Sequence, residues 1–97
     1  MSRAYWINTF QSISDAERLQ RYIELAGPAM RAAGGRFLAR GNPAAAFESG
    51  VAERTTLIEF DTVEAAVAAY HSPAYQEALE VLGDAAIRDL RIIEAIA

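Results

Sequence analysis

The chain alternates between stretches whose apolar residues recur every second position and stretches where they recur every third or fourth, which predicts a succession of strands and helices. Residues 4 to 10, Ala-Tyr-Trp-Ile-Asn-Thr-Phe, are rich in aromatic and β-branched types and predict a first strand. Ser14-Asp15-Ala16-Glu17 has the spacing of a capping box, so a helix is expected to begin at Asp15. Its apolar stripe, Ala16, Leu19, Ile23, Ala26, Met30 and Ala33, runs to the stop at Gly34-Gly35. Pro28 removes the amide that would bond the Glu24 carbonyl and predicts a kink or break. A second strand follows over Arg36 to Arg40, where simple alternation points Arg36, Leu38 and Arg40 one way and Phe37 and Ala39 the other.

The third strand is expected over Glu53 to Phe60. Asp61, with Glu64 three residues on, can cap a helix whose buried side is Val63, Ala66, Val67 and Tyr70. Ser72-Pro73 restarts a helix carrying Leu79 and Leu82 to Gly83, and a last strand spans roughly Arg88 to Ile96. The order strand, helix, strand, strand, helix, strand predicts an α+β fold, a four-stranded antiparallel sheet with helices on one face.

The sheet's second face changes the picture. If water covered it, the strands would alternate cleanly between apolar and polar residues. Instead Tyr5 and Ile7 oppose Trp6 and Phe10, Leu57 opposes Ile58 and Phe60, and Ile93 opposes Leu90, Ile92 and Ile96. One helical layer cannot bury both faces, so the open face is expected to pack on a second copy, making a homodimer. Composition agrees: 97 residues suffice for one domain, 1–97, with a modest core, yet 53% of them are hydrophobic.

Charge and rare residues narrow the partners. The net charge is -4 and the nine positive charges are all arginines, scattered from Arg3 to Arg91, which argues against nucleic acid. There is no cysteine, hence no disulfide and no thiolate chemistry. No apolar run has spanning length and the N-terminus lacks a signal-peptide core, so no membrane partner is expected and the reading is cytoplasmic.

Candidate chemistry is sparse. His71, the single histidine, has the ordinary pKa for acid–base work at neutral pH, but it sits in a turn beside a helix cap, where a solvent-exposed role is the simpler reading. One histidine without cysteine offers no zinc spacing, so no metal is expected. Arg36 and Arg40 lie about 13 Å apart along a strand, too far to grip one small carboxylate together. Arg54 on the neighbouring strand could approach either of them, and Glu48 or Glu59 could pair with them across the ladder. Trp6, Tyr5, Tyr70 and Tyr75 fit a core, an interface or an apolar pocket.

Gly34-Gly35-Arg36-Phe37-Leu38-Ala39-Arg40-Gly41, Glu48-Ser49-Gly50, Glu53-Arg54-Thr55-Thr56-Leu57-Ile58-Glu59-Phe60 and Tyr70-His71-Ser72-Pro73-Ala74-Tyr75-Gln76 together resemble the domain-of-unknown-function 1330 family, and Tyr5-Trp6-Ile7 fits its opening. Asn42 and Leu82 depart from it, where a glycine and an arginine are usual. The resemblance implies a ferredoxin-like βαββαβ protomer pairing as a dimeric α+β barrel. It also draws attention to Glu48, otherwise a turn residue. By analogy with that superfamily, which includes antibiotic-biosynthesis monooxygenases and muconolactone isomerases, one reading is a cofactor-independent isomerase or monooxygenase-like enzyme. It would act on a small hydrophobic, partly anionic molecule, with Glu48 or His71 moving a proton and Arg40, Arg54, Trp6 and Tyr70 holding the ligand. That reading requires a cavity between sheet and helices containing an arginine and an acid. The alternative is a non-catalytic ligand-binding or structural, stress-related dimer, which the lack of a nucleophile–base pair, metal cluster or phosphate loop favours.

Overall fold

The computed structural model describes residues 2–96; Met1 and Ala97, the ends of the expected domain 1–97, lie outside the described residues. Four strands and three helices follow in the order β1 (Ala4–Ile13), α1 (Ala16–Ala32), β2 (Arg36–Gly41), β3 (Thr55–Phe60), α2 (Val63–His71), α3 (Pro73–Leu82) and β4 (Ala86–Glu94). The strands form one antiparallel sheet in the order β2-β3-β1-β4, the ferredoxin-like βαββαβ arrangement expected from the sequence.

Local chemistry accounts for the helix ends. Asp15, not Ser14, caps α1, its carboxylate accepting from the amide of Arg18 at 3.1 Å. Thr62, rather than Asp61, caps α2 by accepting from the Ala65 amide at 3.0 Å. Ser72 both ends α2 and caps α3, with Pro73 in the first turn where its missing amide costs nothing. The break expected at Pro28 is absent, and α1 runs through it as one helix. Pro28 and Glu24 are both exposed, so the carbonyl that proline leaves unpaired lies on the solvent side, where water can satisfy it.

The helices cover one face of the sheet and bury Trp6, Phe10, Ile58 and Phe60 from the strands against Leu19, Tyr22, Ala26, Met30, Tyr75, Ala78 and Leu82. Two details of the expected stripes change. Ala16 is exposed and Tyr22 is buried, and on α2 the buried residues are Ala66 and Ala69 while Val67 faces solvent. Short alanines suit α2 because it lies over the wide rings of Trp6 and Tyr75, which leave little depth for larger side chains. Gly35 is required by a close approach: a Cβ there would stand 2.9 Å from both Ile58 Cγ2 and Phe60 Cζ and 3.0 Å from the Met30 carbonyl oxygen.

The largest correction concerns β2. Arg36 opposes Glu59 and Phe37 opposes Ile58, but Ala39, not Leu38, opposes Leu57, and Arg40 opposes Thr56. Leu38 is thus an extra residue, a β-bulge, and it shifts the alternation by one position. Arg36 and Arg40, expected on one face, lie on opposite faces. Arg36 joins the open face and its Nε donates to Glu59 Oε1 at 3.0 Å, with a second bond to Asp61; Arg40 turns to the helix side. A second bulge sits at Gln11 in β1, between Phe10 and Ser12.

The open face carries half-buried Tyr5, Ile7 and Leu57 beside exposed Ile93, while Arg91 and Asp89, paired at 3.0 Å, stand opposite Ile7 and Thr9 and separate this patch from exposed Ile87. Ile96, assigned to the last strand from the sequence, lies beyond β4 and is fully exposed.

Candidate functional site

Between the sheet and α1 lies a cavity of about 40 Å³, large enough on its own for a few waters, each needing about 10–15 Å³ on this measure. Its floor is a row of residues across the sheet. Asn8 on β1 opposes Thr56 on β3, and Thr56 opposes Arg40 on β2, so three polar side chains stand abreast on the helix-covered face. Arg40 belongs to that row only because of the bulge at Leu38. Trp6 and Phe10 flank Asn8, and α1 supplies the roof with Tyr22, Ala26 and Met30.

The polar groups are unevenly satisfied. Asn8 is buried, yet its side-chain oxygen Oδ1 has no hydrogen-bond partner. Such a group costs about 1–3 kcal/mol of desolvation unless something in the cavity bonds it. At the far end Tyr22 and Tyr75 meet oxygen to oxygen at 2.7 Å, and Arg88 Nη1 donates to Tyr22 at 2.9 Å and to Tyr75 at 3.1 Å. The Arg88 guanidinium also lies 5.2 Å from the Tyr22 ring centre.

Burial, with the neighbouring Tyr75 oxygen, pushes the Tyr22 hydroxyl pKa far above its ordinary value, so it stays protonated through the alkaline range. Its raised folded-state pKa contributes stability that is intact below the unfolded tyrosine pKa near 10 and is lost progressively as pH rises above it. In an alkaline titration followed by tyrosinate absorbance, Tyr22 is therefore expected to ionise only together with unfolding. A Tyr22→Phe variant should show one fewer tyrosinate in that cooperative step. Reversible ionisation of Tyr22 in folded protein near pH 10 would contradict the buried network.

Two arginines mark the mouth. The Arg40 guanidinium lies 5.1 Å from the Phe37 ring centre, which holds it beside the opening. Arg54, half buried just before β3, is placed by a backbone bond from the Phe10 amide to its carbonyl at 2.9 Å. Its pKa is lowered, first by burial and then by the like charge of Arg40. Among the described residues neither arginine has an ion-pair partner. No carboxylate or histidine lines the cavity, so the arginine expected there is present and the acid is not.

The residues singled out from the sequence fall into two groups. Trp6, Arg40 and Arg54 share the cavity wall. Tyr70 stands behind it, stacked at 6.1 Å on Trp6 and 5.5 Å on Tyr75, and supports two wall residues without lining the space. His71 is exposed at the end of α2 with its ring edge-on to Tyr70. Glu48 is exposed in the loop between β2 and β3, with a left-handed φ of 53°. Neither is among the lining residues. Asn8, Tyr22 and Arg88 were not singled out, although alternation places Asn8 between Trp6 and Phe10, and Tyr22 lies three residues from Leu19 and four from Ala26 on the same helical stripe. Among the described residues no group of three or more metal-ligating side chains comes together, and no helix is long and apolar enough to cross a membrane.

The fold and its interior pocket define the chain as a small ferredoxin-like α+β sandwich, and solved structures share that architecture. A protein of unknown function from Rhodopseudomonas palustris is 18% identical and superposes with a TM-score of 0.72 over 99% of this chain and 84% of its own. A dimeric ferredoxin-like protein of unknown function from Thermobifida fusca is 14% identical, with a TM-score of 0.68 over 97% and 92%. SnoaB, a cofactor-independent oxygenase from Streptomyces nogalater, is 10% identical, with a TM-score of 0.66 over 100% and 96%. No curated protein matches the sequence. Residues 3–96 match the family described as domain of unknown function (DUF1330), and the chain belongs to that family.

Proposed function

We propose that the protein binds a small, largely apolar molecule carrying one anionic oxygen group at the mouth of the cavity between sheet and α1, the anionic group between Arg40 and Arg54 and the apolar part entering only as the side chains that roof the small cavity move aside, without a resident cofactor. The observation that carries this reading is that two unpaired guanidinium groups, Arg40 and Arg54, converge on an aromatic-lined cavity that has no carboxylate in its wall. Arg54 is charged, partly desolvated and repelled by its neighbour, so an anion between the two relieves both costs. The protein is proposed to work as a homodimer through the open face, since Tyr5, Ile7, Leu57 and Ile93 form an apolar patch, bordered by the Arg91–Asp89 ion pair, that a second copy can cover. A dimeric protein among the similar structures supports that assembly.

If chemistry takes place, the same arginines stabilise an oxyanion on an enolate-like intermediate, as an isomerase or a cofactor-independent monooxygenase requires. SnoaB, an oxygenase on the same fold, keeps that second reading in play. Glu48 and His71 remain the proposed proton carriers for it, although the cavity itself is built to hold an anion rather than to move a proton. The binding reading is therefore the conclusion.

Trp6 is the only tryptophan and lines the cavity, so its emission reports occupancy. Titration at low ionic strength should give a saturable change with benzoate and a response at least tenfold weaker with uncharged benzamide. Equal responses to the two probes, or none to either, would remove the anion-binding reading.

A further inference from the structure

Among the described residues the arginines divide by what they touch. Arg3, Arg18, Arg36 and Arg91 each pair with a carboxylate, and Arg88 donates to the Tyr22 and Tyr75 hydroxyls. Arg21, Arg31, Arg40 and Arg54 make no ion pair. Acids are not in short supply, since the chain carries 13 of them against nine arginines. Three of these four unpaired arginines nevertheless gather around the mouth of one small cavity.

Each of the three comes from a different element. Arg40 lies on β2 and Arg54 just before β3, and both line the cavity. Arg31 belongs to the last turn of α1 and leans back along the helix, its Nη1 3.4 Å from where a Cβ on Gly27 would stand. Its guanidinium carbon also lies 5.1 Å from the Phe37 ring centre, as far as Arg40 lies from the same ring. Gly27 and Phe37 are both wall residues, so Arg31 stands over the rim without itself lining the space. Two carbons each 5.1 Å from one ring centre are at most about 10 Å apart. Guanidiniums that bond opposite oxygens of one phosphoryl group, at the charge-assisted distance of about 2.8 Å, can stand up to about 10 Å apart between their carbons.

Charge and oxygen count then separate the possible anions. A carboxylate brings one charge and two oxygens to a rim that presents three guanidiniums. A phosphomonoester brings a charge of about −1.5 to −2 at pH 7 and three acceptor oxygens, one for each guanidinium. Resting on the anion-binding reading above, we propose that the anionic group is a phosphoryl group and the ligand class a small apolar phosphomonoester, its three peripheral oxygens shared among Arg31, Arg40 and Arg54. The phosphoryl group stays at the rim, so the small volume of the cavity limits only the apolar part.

Isothermal titration calorimetry of the full-length protein at pH 8 and low ionic strength tests this with four benzene derivatives: benzoate, isophthalate, phenyl phosphate and the monoanionic diester methyl phenyl phosphate. Phenyl phosphate is expected to bind at least tenfold more tightly than benzoate and than methyl phenyl phosphate. Arg31→Gln should remove that advantage, bringing phenyl phosphate to within threefold of benzoate while changing benzoate affinity less than threefold. Arg31 is exposed, so the circular dichroism of this variant should match that of the unmodified protein. Phenyl phosphate binding no better than benzoate would overturn the proposal and leave the anion-binding reading standing. Isophthalate matching phenyl phosphate would also overturn it, because any two charges would then suffice. So would an Arg31→Gln variant that keeps the full phenyl phosphate advantage, since the third guanidinium would then not be engaged. Failure of all four probes to bind would overturn both readings.

Discussion

Replacing Trp6 by alanine is expected to lower stability by about 3–5 kcal/mol, the usual cost of truncating a buried aromatic side chain. Trp6 is 1% exposed and is ringed by Phe60, Tyr70 and Tyr75, with Tyr75 edge-on at 5.3 Å. Helices α2 and α3 both rest on this cluster, so the truncated site cannot close without moving one of them. Small domains have only about 5–15 kcal/mol in total. A Trp6→Ala protein should therefore unfold at much lower urea concentration, while Trp6→Phe, which keeps a ring, should lose less than half as much. Urea denaturation followed by circular dichroism checks this. A loss below about 1 kcal/mol for Trp6→Ala would show that the aromatic cluster is not the keystone of the helical layer.

The second large effect concerns binding. Arg40→Ala and Arg54→Ala are each expected to weaken benzoate binding about 10- to 100-fold, because each removes one charge-assisted hydrogen bond worth about 1.5–3 kcal/mol. The double variant should not bind measurably. The two single variants differ in what else they change. Arg54 is partly buried beside a like charge, so Arg54→Ala should leave the unfolding midpoint unchanged or raise it, whereas Arg40→Ala gives up contact with Phe37 and should lower it slightly. Raising the ionic strength should weaken binding to the unmodified protein, and by less in each single variant, which keeps one of the two charges. Calorimetric affinities for both single variants equal to that of the unmodified protein would remove both arginines from the site.

Much of this arrangement can be read from residue types and spacing, and the failures have identifiable causes. The strand and helix order follows from periodicity, and the opposition of Trp6 and Phe10 to Tyr5 and Ile7 follows from alternation alone. The same rule placed Asn8 on the buried face, and it extends to Arg88, which shares the side of Leu90 and Ile92. Both were legible in principle, but a polar residue draws notice only once its neighbours are known to leave it unpaired. Tyr22 is harder to read, because Ile23 beside it is the more apolar candidate for a buried stripe, yet the stripe is wide enough for both. The position of Arg40 was not legible. It depends on one extra residue in β2, and nothing in Arg-Phe-Leu-Ala-Arg marks Leu38 as that residue. Glu48 and His71 illustrate the opposite limit: chemistry that suits a catalyst says nothing about whether the chain carries it to the cavity.

The bulge at Leu38 also bears on how copies of this chain meet outside any pocket. The sheet has two free edges, β2 and β4. An edge recruits another strand when its outward amides and carbonyls repeat at even spacing, and an extra residue breaks that repeat. Edge β2 is interrupted and carries Arg36 and Arg40, whereas β4 runs without interruption from Ala86 to Glu94 beside exposed Ile87 and Ile93. The residue that turns Arg40 inward thus also blunts one side of the sheet against strand addition and leaves β4 as the side from which a sheet could grow.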